Sequence, residues 1–191
     1  MKRSAVKQFR AIDRGLTIAY VGDGKGKTTA AVGLATRAAG YGWPVLFFQF
    51  YKSAQWPSGE RVTLKKLGVD VRVRGKGFVG ILGDRKSRRQ HRQAAASALA
   101  EAKQLLFSGK YKLVILDEII ACSEQKLFPV SAIAKLLNER AKHPKAKLVH
   151  VAMTGHSAYP AVLKRCDLVT EMKMVKHPYY QGIIASKGID Y

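Results

Sequence analysis

Leu16-Thr17-Ile18-Ala19-Tyr20-Val21 runs directly into Gly22-Asp23-Gly24-Lys25-Gly26-Lys27-Thr28-Thr29, and an alanine-rich stretch follows as far as Ala39. The first six residues read as a buried strand and the glycines as a loop. Thr29 to Ala39 is a good helix former, closed by Gly40 and Gly42. Strand, glycine loop and helix in that order suit a phosphate-binding loop. Glycines let backbone N–H groups approach an anion, a lysine reaches the outer phosphates, and a neighbouring hydroxyl suits magnesium. Gly26, Lys27 and Thr28 supply the end of the pattern GxxxxGK[ST]. Its first glycine position holds Val21 instead, and Gly22 and Gly24 lie inside the loop. The alternative, a Gly-Lys surface turn, does not account for the flanking strand and helix.

Outward from the loop the elements alternate. Pro44 to Phe50 is a nearly continuous apolar strand, suited to a sheet covered on both faces, and a weaker strand is expected over Val69 to Val73. Trp56 to Glu60 reads as a loop, and so does Gly75 to Asp84, which carries apolar side chains among its glycines. From Lys86 to Phe107, Ala95, Ala98, Leu99, Ala102, Leu105 and Leu106 recur at helical spacing. Tyr111 to Leu116 is a strand ending in Asp117-Glu118. Val130 to Lys142 is a helix, Ala146 to Met153 a strand, Tyr159 to Arg165 a short helix and Asp167 to Met172 a final strand. This alternation predicts an α/β fold of the P-loop NTPase-like (RecA-like) kind, a mostly parallel sheet with helices on both faces. The 191 residues suggest a short basic lead over 1–14 and one domain over 15–191.

Lys and Arg number 34 and Asp and Glu 13, so the net charge is +21. Such a field attracts anions without distinguishing a polynucleotide from a nucleotide triphosphate. The basic residues are spread from Lys2 to Lys187 and no base-reading module is recognisable, so specific nucleic-acid recognition is not expected. Cys122 and Cys166 lack metal-ligand spacing and suit a reducing compartment. The start MKRSAVKQFR lacks the apolar stretch of a signal peptide, and no apolar run approaches the roughly 18 residues of a membrane span. A cytoplasmic protein with no membrane association is the expectation.

The carboxylates Asp117 and Glu118 stand where an α/β sheet presents ligand-binding residues, at the end of a buried strand. One can hold magnesium directly or through water, and the other can position a group or cap the following turn. Lys25, Arg37, Lys52 and Lys176 are candidate anion contacts or solvated basic residues. His91, His143 and His156 form no spaced metal site, and His177 reads as a structural histidine.

Taken in order, several stretches resemble one known family. They are Gly22 to Ala31, Ala35-Thr36-Arg37-Ala38 before Gly40-Tyr41-Gly42, Gln49-Phe50-Tyr51-Lys52 and Trp56-Pro57-Ser58-Gly59-Glu60. Leu116-Asp117-Glu118, Asn138-Glu139-Arg140, Thr154-Gly155, Val175-Lys176-His177 and Gly188-Ile189-Asp190-Tyr191 continue the series. Together they resemble the ATP:corrinoid adenosyltransferases of the phosphate-loop class, over nearly the whole chain from Gly15 to Tyr191. The resemblance implies that Co(I) of a reduced corrinoid such as cobalamin attacks the 5′-carbon of ATP and releases triphosphate, in adenosylcobalamin synthesis or salvage. It also implies that the triphosphate lies reversed in the loop. Gly22, Asp23, Gly24, Lys25, Gly26, Lys27, Thr28 and Thr29 would then hold the triphosphate, with Arg37 and Lys52 as further contacts. Lys27, Thr28 and Glu118 become the catalytic residues, and Thr28, Asp117 and Glu118 the Mg²⁺ (or Mn²⁺) site. A homodimer and a flavoprotein reductant are implied as well.

The departures fall near the corrinoid. The family's Gly-Phe-x-Trp loop reads Gly77-Phe78-Val79-Gly80 here, so Phe78 remains and Gly80 replaces the tryptophan. Phe78, Gly80 and Trp56 are the corrinoid-side candidates. Phe78 also reads as an ordinary apolar anchor, and Trp56 as a cover for nucleotide or as loop packing. Two other functions fit the same loop: a P-loop ATPase acting on nucleic acid, and a non-catalytic corrinoid or nucleotide carrier.

Overall fold

The computed structural model describes residues 11–77, 79–80 and 84–191. The strands are β1 (Thr17–Val21), β2 (Val45–Ser53), β3 (Asp70–Gly75), β4 (Leu113–Asp117), β5 (His150–Thr154) and β6 (Leu168–Glu171). The helices are α1 (Lys27–Gly40), α2 (Gly59–Lys66), α3 (Arg88–Phe107), α4 (Ile119–Glu124), α5 (Val130–Lys142) and α6 (Pro160–Leu163). The six strands form one sheet in the order β3-β2-β4-β5-β1-β6, and every pairing is parallel.

Successive side chains of a strand point to opposite faces, so a continuous apolar run serves two layers at once. In β2 and β4, Val45, Phe47, Leu113 and Ile115 turn toward Ala31, Ala35 and Ala38 of α1 and Leu64 of α2. Leu46, Phe48, Phe50, Val114 and Leu116 turn the other way. There they meet Ala95, Ala98, Ala102 and Leu106 of α3 and Ile133, Leu136 and Leu137 of α5. Small residues on α1 and α3 let the helices lie close to the large side chains of the sheet. The α3 helix begins with a capping box, in which the Ser87 hydroxyl accepts from Gln90 N at 3.3 Å and Gln90 Oε1 accepts from Ser87 N at 2.7 Å.

Several expectations need adjusting. The weak strand is displaced to Asp70–Gly75, and the start of the Ala146 to Met153 segment is a 3-10 turn over Ala146–Leu148 before β5 begins. The Trp56 to Glu60 loop ends earlier, because α2 starts at Gly59, and α4 follows Glu118 without a break. Phe78 lies outside the described residues. Gly80 has φ +72°, a left-handed backbone that disfavours any side chain there.

At the other end of the sheet the buried Arg140 of α5 donates to Gly15 O, Thr17 Oγ1 and Val149 O, pinning the starts of β1 and β5. The opposite end of the sheet, where β1, β2, β4 and β5 end, carries the glycine loop and Asp117-Glu118. No described helix is long and apolar enough to cross a membrane.

Candidate active site

Between β1 and α1 the glycine loop turns beneath the end of β6. Gly24 N donates to Met172 O at 2.7 Å and Gly22 N to His156 O at 2.8 Å. A Cβ on Gly22 would stand 2.3 Å from Met172 O, and its φ is +104°. Position 22 therefore requires glycine for close approach as well as for backbone geometry. This also corrects the simplest picture of the loop, since the amides of Gly22 and Gly24 already face carbonyl groups of the protein. The backbone donors best placed for phosphate are those of Lys27, Thr28 and Thr29, which open α1 and have no intrahelical acceptor by helix geometry.

Lys27 Nζ folds over the loop and donates to Gly22 O and Gly24 O, both at 2.7 Å. Burial lowers its pKa, against the charges of Glu118, Glu124 and Asp23. Thr28 Oγ1 donates to Asp117 Oδ1 at 3.0 Å, and Thr154 Oγ1 donates to the same oxygen at 2.9 Å. Gln49 Nε2 reaches the other oxygen of Asp117 at 3.1 Å. Asp117 is fully buried and sits behind the cleft as an anchor for Thr28.

Glu118 is different. It has φ +60° and caps the start of α4, and its backbone N–H donates to Thr154 Oγ1 at 2.7 Å. Burial, then the neighbouring Asp117 charge, pushes its carboxyl up to about 7, with Lys52 and Lys27 opposing.

These groups open onto a cleft of about 670 Å³. The stretch from Asp23 to Thr29 lines it, together with Lys52, Glu118, His156 and His177. Gly188 to Tyr191 form a further wall, tied to the loop by an ion pair from Lys25 Nζ to Asp190 Oδ1. Arg37 is in the last turn of α1 and is not part of this lining, and Gly22 lies beneath it. Lys52 Nζ donates to Glu60 Oε1 at 3.3 Å, which holds both at the mouth.

A second cavity of about 530 Å³ adjoins the first through Lys52, Asp190 and Tyr191. Its other walls include Trp56, Pro57, Arg61, Gly77 and Ile184, and its surface is mostly apolar. Trp56 is 45% exposed there. Of the corrinoid-side candidates the structure thus brings Trp56 beside Gly77, which precedes Phe78; Gly80 does not line the cavity. Gln49, Thr154 and Asp190 enter the sequence reading only inside stretches that carry the family resemblance, without a role, and Arg61 does not enter it. Gln49 carried a further visible signal, a polar residue inside the run Val45 to Phe50.

Residues 13–191 match the family described as ATP:corrinoid adenosyltransferase BtuR/CobO/CobP. The chain is 37% identical over 179 residues to a corrinoid adenosyltransferase of Escherichia coli strain K12, covering 94% of this chain and 87% of that protein. It is 35% identical over the same length to the corrinoid adenosyltransferase CobA of Salmonella typhimurium, again covering 94% and 87%. Among solved structures, the cytoplasmic domain of EssC superposes with a TM-score of 0.50 at 14% identity, covering 95% of this chain and 36% of that one. That likeness concerns the fold alone.

Proposed function

The chain belongs to the ATP:corrinoid adenosyltransferase family, and from that premise we propose which of its residues carry the reaction. It is a transferase whose substrates are ATP and a corrinoid. The observation that carries the assignment is the pair of adjoining cavities, one walled by the phosphate loop and the other apolar, sharing Lys52, Asp190 and Tyr191. Triphosphate in the first and corrin in the second would meet across that shared wall, where the 5′-carbon of ATP must face the cobalt.

As the Co–C bond forms and the C5′–O bond breaks, both electrons of the latter move onto the polyphosphate. Groups that bind this growing charge accelerate the step, and no general base is required. Lys27 and the amides of Lys27, Thr28 and Thr29 are those groups, with Lys25 and Lys52 contributing charge. Thr28 donates its hydroxyl hydrogen bond to Asp117 and keeps its lone pairs free, and Glu118 lines the same cleft as Lys27. This hard oxygen donor set fits Mg²⁺ or Mn²⁺. When bound, the ion supplies positive charge to the leaving triphosphate. Thr28 and Glu118 would hold it, with Asp117 behind Thr28.

A single domain over 15–191 agrees with one sheet that gathers strands from Thr17 to Glu171. Exposed Leu168, Val169, Val175, Tyr179 and Ile184 support a homodimer surface near β6 and the tail. Two unpaired cysteines suit the cytoplasm. The flavoprotein reductant is carried over from the family.

The assignment is tested with Lys27→Ala, prereduced corrinoid and saturating ATP. Turnover should fall by roughly 100-fold, as on loss of one strong electrostatic donor. An unchanged rate overturns the role, and a fall confined to ATP affinity makes Lys27 a binding residue only.

A further inference from the structure

Gln49 sits in the middle of β2, fully buried, directly opposite Asp117 in the β2 and β4 pairing. A glutamine there has two orientations related by a half-turn of its amide. One donates to Asp117, and the other sets a carbonyl oxygen against the carboxylate. Arg61 of α2 decides between them, because its Nε donates to Gln49 Oε1 at 2.7 Å and so leaves Nε2 to face Asp117 Oδ2 at 3.1 Å.

The same guanidinium acts elsewhere. Its Nη1 donates to Ser53 O and to Trp56 O, each at 3.0 Å. The pairing of β2 with β3 shifts register between Gln49 and Ser53, where the strand leaves for the Trp56 turn. Arg61 is 9% exposed, and among the described residues its Nη2 has no hydrogen-bond partner.

We infer that Arg61 and Gln49 are positioning residues that tie the Trp56 turn at the second cavity to the Asp117 and Thr28 pair at the phosphate loop. Movement of the Trp56 turn is felt by Nη1. The Gln49 amide follows Nε, and the Asp117 carboxylate, held by Thr28, Thr154 and Gln49, follows the amide. Neither Arg61 nor Gln49 needs to touch the nucleotide, yet both set how Thr28 is presented to it. The inference rests on the assignment of the first cleft to ATP.

The test is a double-mutant cycle on equilibrium ATP binding without corrinoid, using Arg61→Lys, Gln49→Leu and the pair, with Lys27→Ala as control. Lysine keeps the charge but cannot make the Nε and Nη1 bonds together. Each single change should weaken ATP binding on the order of 10-fold, the scale of a lost hydrogen bond to a charged group. The pair should be no weaker than the weaker single, because both changes break one chain. Losses that multiply, or an Arg61→Lys protein that binds ATP as the wild type does, overturn the inference. Should Arg61→Lys fail to fold, Gln49→Leu decides: freed of its acceptor, Arg61 loosens the Trp56 turn and the KM for corrinoid rises, and an unchanged KM overturns the coupling. If Lys27→Ala leaves both ATP binding and turnover unchanged, the nucleotide assignment is what has failed, and the inference falls with it.

Discussion

Asp84 Oδ2 accepts from Gly80 N at 3.0 Å and lies 2.8 Å from His91 Nε2, and its Oδ1 accepts from Lys86 N at 3.1 Å. The Gly80 bond first, then the Lys86 and His91 bonds, hold its carboxyl near 2 instead of 3.8, against the opposing effect of burial. Because the folded value is depressed, the stability it contributes is fully present above 3.8 and is lost as pH falls through 2. Wild type should therefore be more stable than Asp84→Asn near neutrality, with the gap closing between pH 4 and 2, read from thermal melts in an acid series. A gap independent of pH contradicts this. Gly80, held by that carboxylate, shows what residue types reveal and conceal. Its replacement of a tryptophan is visible in sequence as lost apolar cover, but the φ of +72° is not. Among the described residues a Cβ there meets no atom within 4 Å, and the left-handed backbone is an obstacle to Gly80→Trp. Lys27, Thr28, Asp117 and Glu118 were legible because a local spacing or a strand end announces them. Arg61 was not, and neither was the pairing of Asp190 with Lys25, since both contacts are fixed by tertiary packing.

Among the elements, the ones that escaped the sequence reading are short. The α2 helix buries only Arg61 and Leu64, and α4 is six residues long and opens on the left-handed Glu118, so neither offers a sustained period. The tail was readable as a family signature but not as a wall. Its attachment uses the Lys25 and Asp190 ion pair, Met174 N donating to Asp23 Oδ1 at 3.2 Å, and Asp190 Oδ2 accepting from Ser186 N at 2.7 Å. The ion pair is partly exposed, with side chains 42% and 24% accessible, so its energetic worth is small. It ties the tail to the glycine loop. Asp190→Asn should speed hydrogen exchange at Ser186 and its neighbours, while ATP affinity changes by less than roughly fivefold. Unchanged exchange at Ser186 would show that the tail is held by other contacts.

At the scale of the whole molecule, the alternation of strands and helices gave the class of the fold, because each apolar run had to be covered on two faces. The order β3-β2-β4-β5-β1-β6 was not readable, since it depends on which distant strands pair. That order sets β5 between β1 and β4, so Thr154 stands between the phosphate loop and Asp117 and bonds to the latter. The charge of +21 acts over the same scale. It should draw DNA weakly near 0.15 M salt, with ordered and scrambled sequences competing equally and neither raising ATP turnover. Strong sequence preference in such a titration would contradict the reading of the charge as a general field for anions.

Transfer of the adenosyl group separates this protein from every ATPase built on a similar loop, and the products record it directly. A single turnover with ATP and prereduced corrinoid, with and without added DNA, should yield adenosylated corrinoid and triphosphate in equal amounts and no dependence on DNA. ADP and phosphate without adenosylated corrinoid would contradict the account, and so would intact ATP beside unaltered corrinoid.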